Sequence, residues 1–426
     1  MLPTELNIAD IPKIFIRFKD VIDERFWFKR EKLISSEICG HKYLESYLLK
    51  ENALIFQLAE LSRLVEKYGW IPRSQRKNKA LYPAISFAAQ VLSLLDIAPE
   101  NQKNSLVGRI RGSFKNPEDL RAIQLELTAA TNFIRRGCAV KWPEMEKTGT
   151  FDLLVDDIAT NGLEVECKSI SRDMGRKITK RKALEFFELA RPSVQSELKN
   201  TLGGIVVVLT IPEKLPTKLE EKTDLIKSVV EGLGKLKTNL FLDNSLIRIS
   251  KFDLKLIKDV NFNSGDPLLS RELVDQITST ENQEVMIVGN SSSAIVLVVK
   301  SEQDNSLLEY IFKTVNDSSK RQLSKQRSAI YLIGLQDIEP SELVNIANQD
   351  FDSRNHPTGL RIAVSNFFAK ENRDYLVGIG FLSKGILDAS IAGEAQESGT
   401  VYFFSKKESN FWHDDLSNLF SREQAV

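Results

Sequence analysis

The chain has 426 residues, 42% of them hydrophobic and 27% charged, a balance that supplies cores for roughly two to four domains and excludes an intrinsically disordered protein. Lys plus Arg and Asp plus Glu both number 58, which excludes a uniformly basic nucleic-acid coat and confines any polyanion site to a local patch. Three scattered cysteines (Cys39, Cys138, Cys167), no basic segment leading into an apolar stretch near Met1, and apolar runs far too short to span a bilayer point to a reduced, cytoplasmic protein with no membrane insertion.

Residues 1–105 read as a helical N-terminal region. The stretch "YLESYLLKENALIFQLAELSRLVEKYGW" repeats apolar positions at helical spacing, "IPRSQRKNK" breaks it with Pro72 and a basic loop, and "ALYPAISFAAQVLSLL" resumes it. From 106 to 215 the order becomes helix, strands, helix, strand, which is an α/β unit. Asn116 suits an N-cap, Pro117 the first helical position, and Gly137 after "FIRR" a stop. At about 100° per residue, Leu120, Ile123, Leu127, Ala130 and Ile134 form one stripe of this helix, with Glu126 at its edge.

Two short strands follow, "FDLLVDD" and "LEVECKS", joined through "TNG". With period-2 alternation Leu163, Val165 and Cys167 share one face, and Glu164, Glu166 and Lys168 share the other. If the strands pair, Asp152 meets Glu166 and Lys168 on one surface. Hard carboxylate oxygens are the natural ligands of Mg2+, and a neighbouring lysine can hold a water or a phosphate oxygen as a point charge. Such parts suit phosphodiester hydrolysis. Glu164, at the start of its strand, is read as solvated, the alternative being a ligand for a second metal. "SRDMGRKITKRKALEFFELA" comes next, in which Arg172, Arg176, Lys177, Lys180, Arg181 and Lys182 oppose only Asp173 before Leu184. Arg172, Arg176, Lys177, Arg181 and Lys182 are expected to contact nucleic-acid phosphates without specifying sequence, the alternative being a solvated basic helix start. Gly175 would allow close approach to a phosphate.

Residues 216–426 read as a C-terminal α/β region, expected to be a recognition or partner module with no catalytic site of its own. "KTDLIKSVVEGLGKL" has helical spacing, whereas "EVMIVG", "SAIVLVVKSE", "YLVGIGFLS" and "TVYFFSK" read as strands. One echo stands out. The segment from Val296 to Leu335 repeats the order found from Leu163 to Leu209: a strand ending in Lys-Ser, a helix, a basic loop and a strand. A duplication would make it a catalytically dead copy with Val298 in the place of Glu166, although repeated α/β order also arises without duplication. His41, His356 and His413 have no ligand spacing, which disfavours zinc sites, Ser-His-Asp triads and HNH-type nucleases, and no P-loop occurs.

The helix with an acid, the strand-borne Asp152, the "EVECK" strand with Glu-X-Lys, the next helix and "GGIVVVLTI" together resemble the PD-(D/E)XK nuclease superfamily over about 106–215. Asp152 matches the motif's Asp, Glu166 its second acid, Lys168 its lysine, and Glu126 the acid often carried by the first helix; Phe151 stands where the motif has Pro. The resemblance implies a restriction-endonuclease-like core, a mixed sheet flanked by helices. It also implies a Mg2+ (or Mn2+) dependent endonuclease with metal on Asp152, Glu166 and Glu126, acting on DNA in preference to RNA, in phage defence, restriction or repair. A double-strand cut would call for a homodimer or a partner subunit. The alternative is a catalytically silent nucleic-acid-binding or scaffolding subunit that keeps the fold.

Overall fold

A computed structural model describes residues 6–76, 78–171, 173–235, 240–242, 245–258, 271–278, 283–290, 292–335, 338–383, 386–389, 394–398 and 400–419. The chain divides into two compact units. The first comprises Met1–Leu33, Asn52–Arg172 and Leu308–Val426, and the second Ile34–Glu51 and Asp173–Leu307.

The helices expected before residue 105 are present. In the first unit Tyr82–Ile97 is apolar almost all round, as a helix at the centre of a bundle must be. Phe87 on that helix meets Phe18 and Phe114 edge-on, and Trp27 stacks on Phe18 with ring centroids 5.7 Å apart. The helix Pro117–Arg135 starts where its signals put it: the Asn116 side chain accepts the Asp119 N–H, Pro117 occupies the first turn, and Gly137 takes φ +86° beyond the last turn.

The first unit's main sheet is mixed, in the order Val401–Ser405, Leu376–Leu382, Ser328–Leu335, Leu163–Ile170, Leu153–Val155, Val140–Lys141. Its centre is parallel and its margins antiparallel. Ser328–Leu335 and Leu376–Leu382 are buried at every residue, the pattern of strands covered on both faces. The helix Pro117–Arg135 packs on Leu163–Ile170. Gly334 makes room for Leu125 of that helix: a Cβ at Gly334 would come within 3.1 Å of the leucine methyls.

The second unit has its own mixed sheet, in the order Leu240–Leu242, Ser245–Phe252, Gly203–Ile211, Ser293–Ser301, Glu284–Gly289. This corrects the division at 105 and 215. The strand Gly203–Ile211 does not complete the sheet of Glu166; Ser328–Leu335 does, residue for residue from Leu163↔Ser328 to Ile170↔Leu335. Nor is 216–426 one module, because it is split between the two units. Both strands are continuous apolar runs, so neither periodicity nor composition distinguishes which one pairs with the Glu166 strand.

The echo in the sequence becomes a shared topology. In the first unit an antiparallel hairpin, Leu153–Val155 with Leu163–Ile170, takes the parallel neighbour Ser328–Leu335. In the second a hairpin, Glu284–Gly289 with Ser293–Ser301, takes the parallel neighbour Gly203–Ile211. Each run of hairpin, helix and strand therefore leaves its hairpin in one sheet and its final strand in the other. The register sets Glu166 opposite Tyr331 and Val298 opposite Val208. Val298, Val296, Val208 and Val285 belong to a closed apolar cluster with Ile257, Leu273 and Ile277. Where the first sheet carries carboxylates, the second carries packed hydrocarbon.

Candidate active site

Four residues read from the sequence gather in the first unit. Asp152 stands one residue before Leu153, which pairs with Val165 across the hairpin, so that it reaches the Glu166 strand. Its Oδ2 accepts the Cys167 backbone N–H at 2.7 Å. Glu166 is wholly buried; its Oε1 accepts from Lys168 Nζ at 2.6 Å, while its Oε2 has no hydrogen-bond partner. The Lys168 side chain is 21% exposed and also donates to Gln322 Oε1 at 2.9 Å. Glu126 is buried on the helix Pro117–Arg135, and its Oε1 accepts from Arg109 of the helix Glu100–Ser113 at 2.7 Å. Arg109 also lies 3.5 Å from Glu144.

Electrostatics tie these groups together. Burial, and then the charge of Asp152, push the carboxyls of Glu126 and Glu166 up to about 8. Burial also raises Asp152, against the opposing effects of the Cys167 N–H, Lys168 and Arg109. The Cys167 thiol is pushed well up by burial and by the charges of Asp152, Glu126 and Glu166. Glu126 and Glu166 thus share one low-dielectric region with Asp152, Lys168 and Arg109, and without a further cation the burial of these two glutamates and the charge of Asp152 shift them toward their protonated forms.

The fit to a metal is divided. Glu166 Oε2, a buried oxygen without a partner, and Asp152 beside it form a hard-oxygen pair of the kind Mg2+ or Mn2+ takes. Among the described residues no three His, Cys, Asp or Glu side chains converge closely enough to hold an ion, and Glu126 is already paired with Arg109. If a metal binds here, Asp152 and Glu166 are the residues that could hold it, and Glu126 would join them only by giving up Arg109.

Glu164 corrects its expectation. It is wholly buried rather than solvated, accepting the Ser324 backbone N–H at 2.9 Å and the Ser324 hydroxyl, with Arg327 at 3.4 Å. It pins the turn that leads into Ser328–Leu335. The alternation was right, but on this central strand the face is covered at Glu164, whereas Lys168 farther along it is part-exposed. Arg109, Ser318, Gln322 and Tyr331 escaped the sequence reading because no spacing links them to "EVECK"; the echo alone pointed at the segment that supplies the last three.

The basic cluster belongs to the second unit, except Arg172, which lies outside the described residues. Arg176 pairs with Glu284 at 2.7 Å, and Arg181 with Glu37 at 2.6 Å and Glu185 at 3.1 Å. Acids distant in sequence thus answer two of the arginines, which a count along "SRDMGRKITKRK" does not see. Gly175 is also reassigned: at φ +75° it lies against the chain at Ser306 and Leu307, where a Cβ would meet backbone atoms at 2.8 Å. Its close approach is to protein. Lys177 and Lys182 make no salt bridge among the described residues and remain candidates for phosphate contact. We expect Lys177→Ala with Lys182→Ala to flatten the dependence of log affinity on log salt by about one unit per contact, with a smaller change for Arg176→Ala; an unchanged slope returns the cluster to a solvated face.

Comparison of the chain with known protein families, curated proteins and solved structures gives no match.

Proposed function

We propose that the protein is a metal-dependent endonuclease of restriction-endonuclease-like core, hydrolysing phosphodiester bonds in DNA in preference to RNA. The observation that carries this reading is Glu166: a fully buried carboxyl with one oxygen held by Lys168 and the other left without a partner. Leaving a buried acceptor unmet costs on the order of 1–3 kcal/mol, more when it is charged, a cost that a bound cation would offset. A bound Mg2+ or Mn2+ would supply Lewis acidity, neutralising charge on the phosphoryl group and lowering the pKa of water. Asp152 and Glu166 would hold it. Lys168, partly exposed, offers its ammonium to a phosphate oxygen or to water. Glu126, itself buried, is paired with the part-exposed Arg109, which meets its charge. A role in phage defence, restriction or repair rests on the motif resemblance alone.

The second reading, a silent nucleic-acid-binding or scaffolding subunit, draws on one observation: Arg109 meets the charge of Glu126 without a metal. Cleavage of supercoiled, linear and single-stranded DNA and of RNA, with Mg2+, with Mn2+ and with chelator, separates the two. Metal-dependent DNA cleavage that the chelator abolishes is the expected result; nucleic-acid binding with no cleavage of any substrate would establish the silent subunit.

A further inference from the structure

We infer that Gln322 is a positioning residue for Lys168, contributed to the catalytic unit by the chain segment that follows the second hairpin. The inference rests on the nuclease reading above. A lysine on a strand carries a flexible four-carbon stem, and its ammonium has three donors that can rotate. Glu166 Oε1 fixes one of them at 2.6 Å. A single carboxylate contact leaves the head free to swing about that oxygen, and Gln322 Oε1 at 2.9 Å supplies a second fixed point.

The acceptor is itself held. Ser318, one turn earlier on the helix Leu307–Arg321, donates to the same Gln322 Oε1 at 2.5 Å, and Tyr331 OH donates to Ser318 Oγ at 3.2 Å. Tyr331 is wholly buried and lies in register opposite Glu166 on the adjoining strand, while Ser318 Oγ is also 3.4 Å from Glu166 Oε1. Glu166, Lys168, Gln322 and Ser318 thus close a ring. Two donors, an ammonium and a hydroxyl, converge on one amide oxygen, so the amide has only one orientation: turned over, its NH2 would face the Lys168 ammonium. A neutral acceptor also suits the task. It directs the ammonium without adding a second negative charge, so that the cation remains effective toward a phosphate oxygen or water.

The test compares Gln322→Met, similar in length but without an acceptor, with Ser318→Ala and with the double variant. Steady-state cleavage and the Mg2+-induced rise in melting temperature are measured on the full chain. Q322M is expected to lower kcat by roughly 10- to 100-fold, the scale at which a misplaced group costs rate, with KM for DNA and the Mg2+-induced rise unchanged. S318A should lower kcat less, and the double variant should be no slower than Q322M, because both act through one amide oxygen. Wild-type kcat in Q322M overturns the inference. So does a fall in kcat accompanied by loss of the Mg2+-induced rise, which marks a structural role, or multiplicative effects in the double variant, which mark Ser318 and Gln322 as acting independently. Absence of cleavage by the unsubstituted protein removes the nuclease reading, and this inference with it.

Discussion

Asp152→Ala and Glu166→Ala are each expected to abolish both DNA cleavage and the rise in melting temperature produced by Mg2+, whereas Lys168→Ala should abolish cleavage and keep most of that rise. The split follows from the parts. Asp152 and the unpartnered Glu166 Oε2 are the oxygens that a cation would meet, and Lys168 contributes charge rather than a ligand. Loss of one well-placed electrostatic group costs about 3–4 kcal/mol in the barrier, or roughly 10²–10³ in rate. Glu126→Gln should cost a similar or smaller factor, since Glu126 is already paired with Arg109.

The same groups set a pH dependence. Glu126 and Glu166 titrate near 8 in the folded protein, against an ordinary 4.5 in the unfolded chain, so between those values the folded state binds the more protons. Without metal, stability from these two groups is therefore present below about 4.5 and is lost as pH rises through about 8. A cation that holds the ionised carboxylates opposes this loss. The Mg2+-induced rise in melting temperature should accordingly grow from pH 6 to pH 9 in the wild type and show no such growth in Glu166→Ala. Full Mg2+-dependent cleavage by an Asp152→Ala, Glu166→Ala double variant would falsify the assignment of the site.

Local signals were legible in the sequence, and long-range ones were not. Asn116, Pro117 and Gly137 mark a helix through backbone chemistry that acts within a few residues, and "TNG" marks a turn for the same reason. The placement of Asp152 near Glu166 and Lys168 needs only a hairpin, so it too could be read. The parallel neighbour of the Glu166 strand depends on crossovers, and two apolar strands satisfy the same pattern equally well. Glu164 was misplaced for that reason: its burial comes from the turn at Ser324, which approaches only because Ser328–Leu335 is the neighbour. The pairing of Arg176 with Glu284 was hidden likewise, the two residues standing far apart in sequence within one segment of the second unit.

The fragment 1–215, which the sequence alone marks out as containing the whole catalytic domain, is expected to be inactive and poorly soluble. Its loss is not of a recognition module. Removing 216–426 strips from Leu163–Ile170 the strand Ser328–Leu335 that pairs along its full length, and beyond it Leu376–Leu382. Glu166 and Glu164, both buried, would then stand on a bare sheet edge without Ser318 or Ser324, and Lys168 would lose Gln322. An unprotected edge with an apolar face invites association with other chains. Glu164→Ala in the full chain isolates the structural part of this effect: it removes charge-assisted bonds to the Ser324 turn, so it should lower the melting temperature, with a cost of about 1–3 kcal/mol, and keep kcat near wild type. Purifying 1–215 and measuring its Mg2+-dependent cleavage tests the larger claim. Residual activity in a monomeric 1–215 would mean that the hairpin and the helix Pro117–Arg135 hold the site without the strands supplied from beyond residue 308.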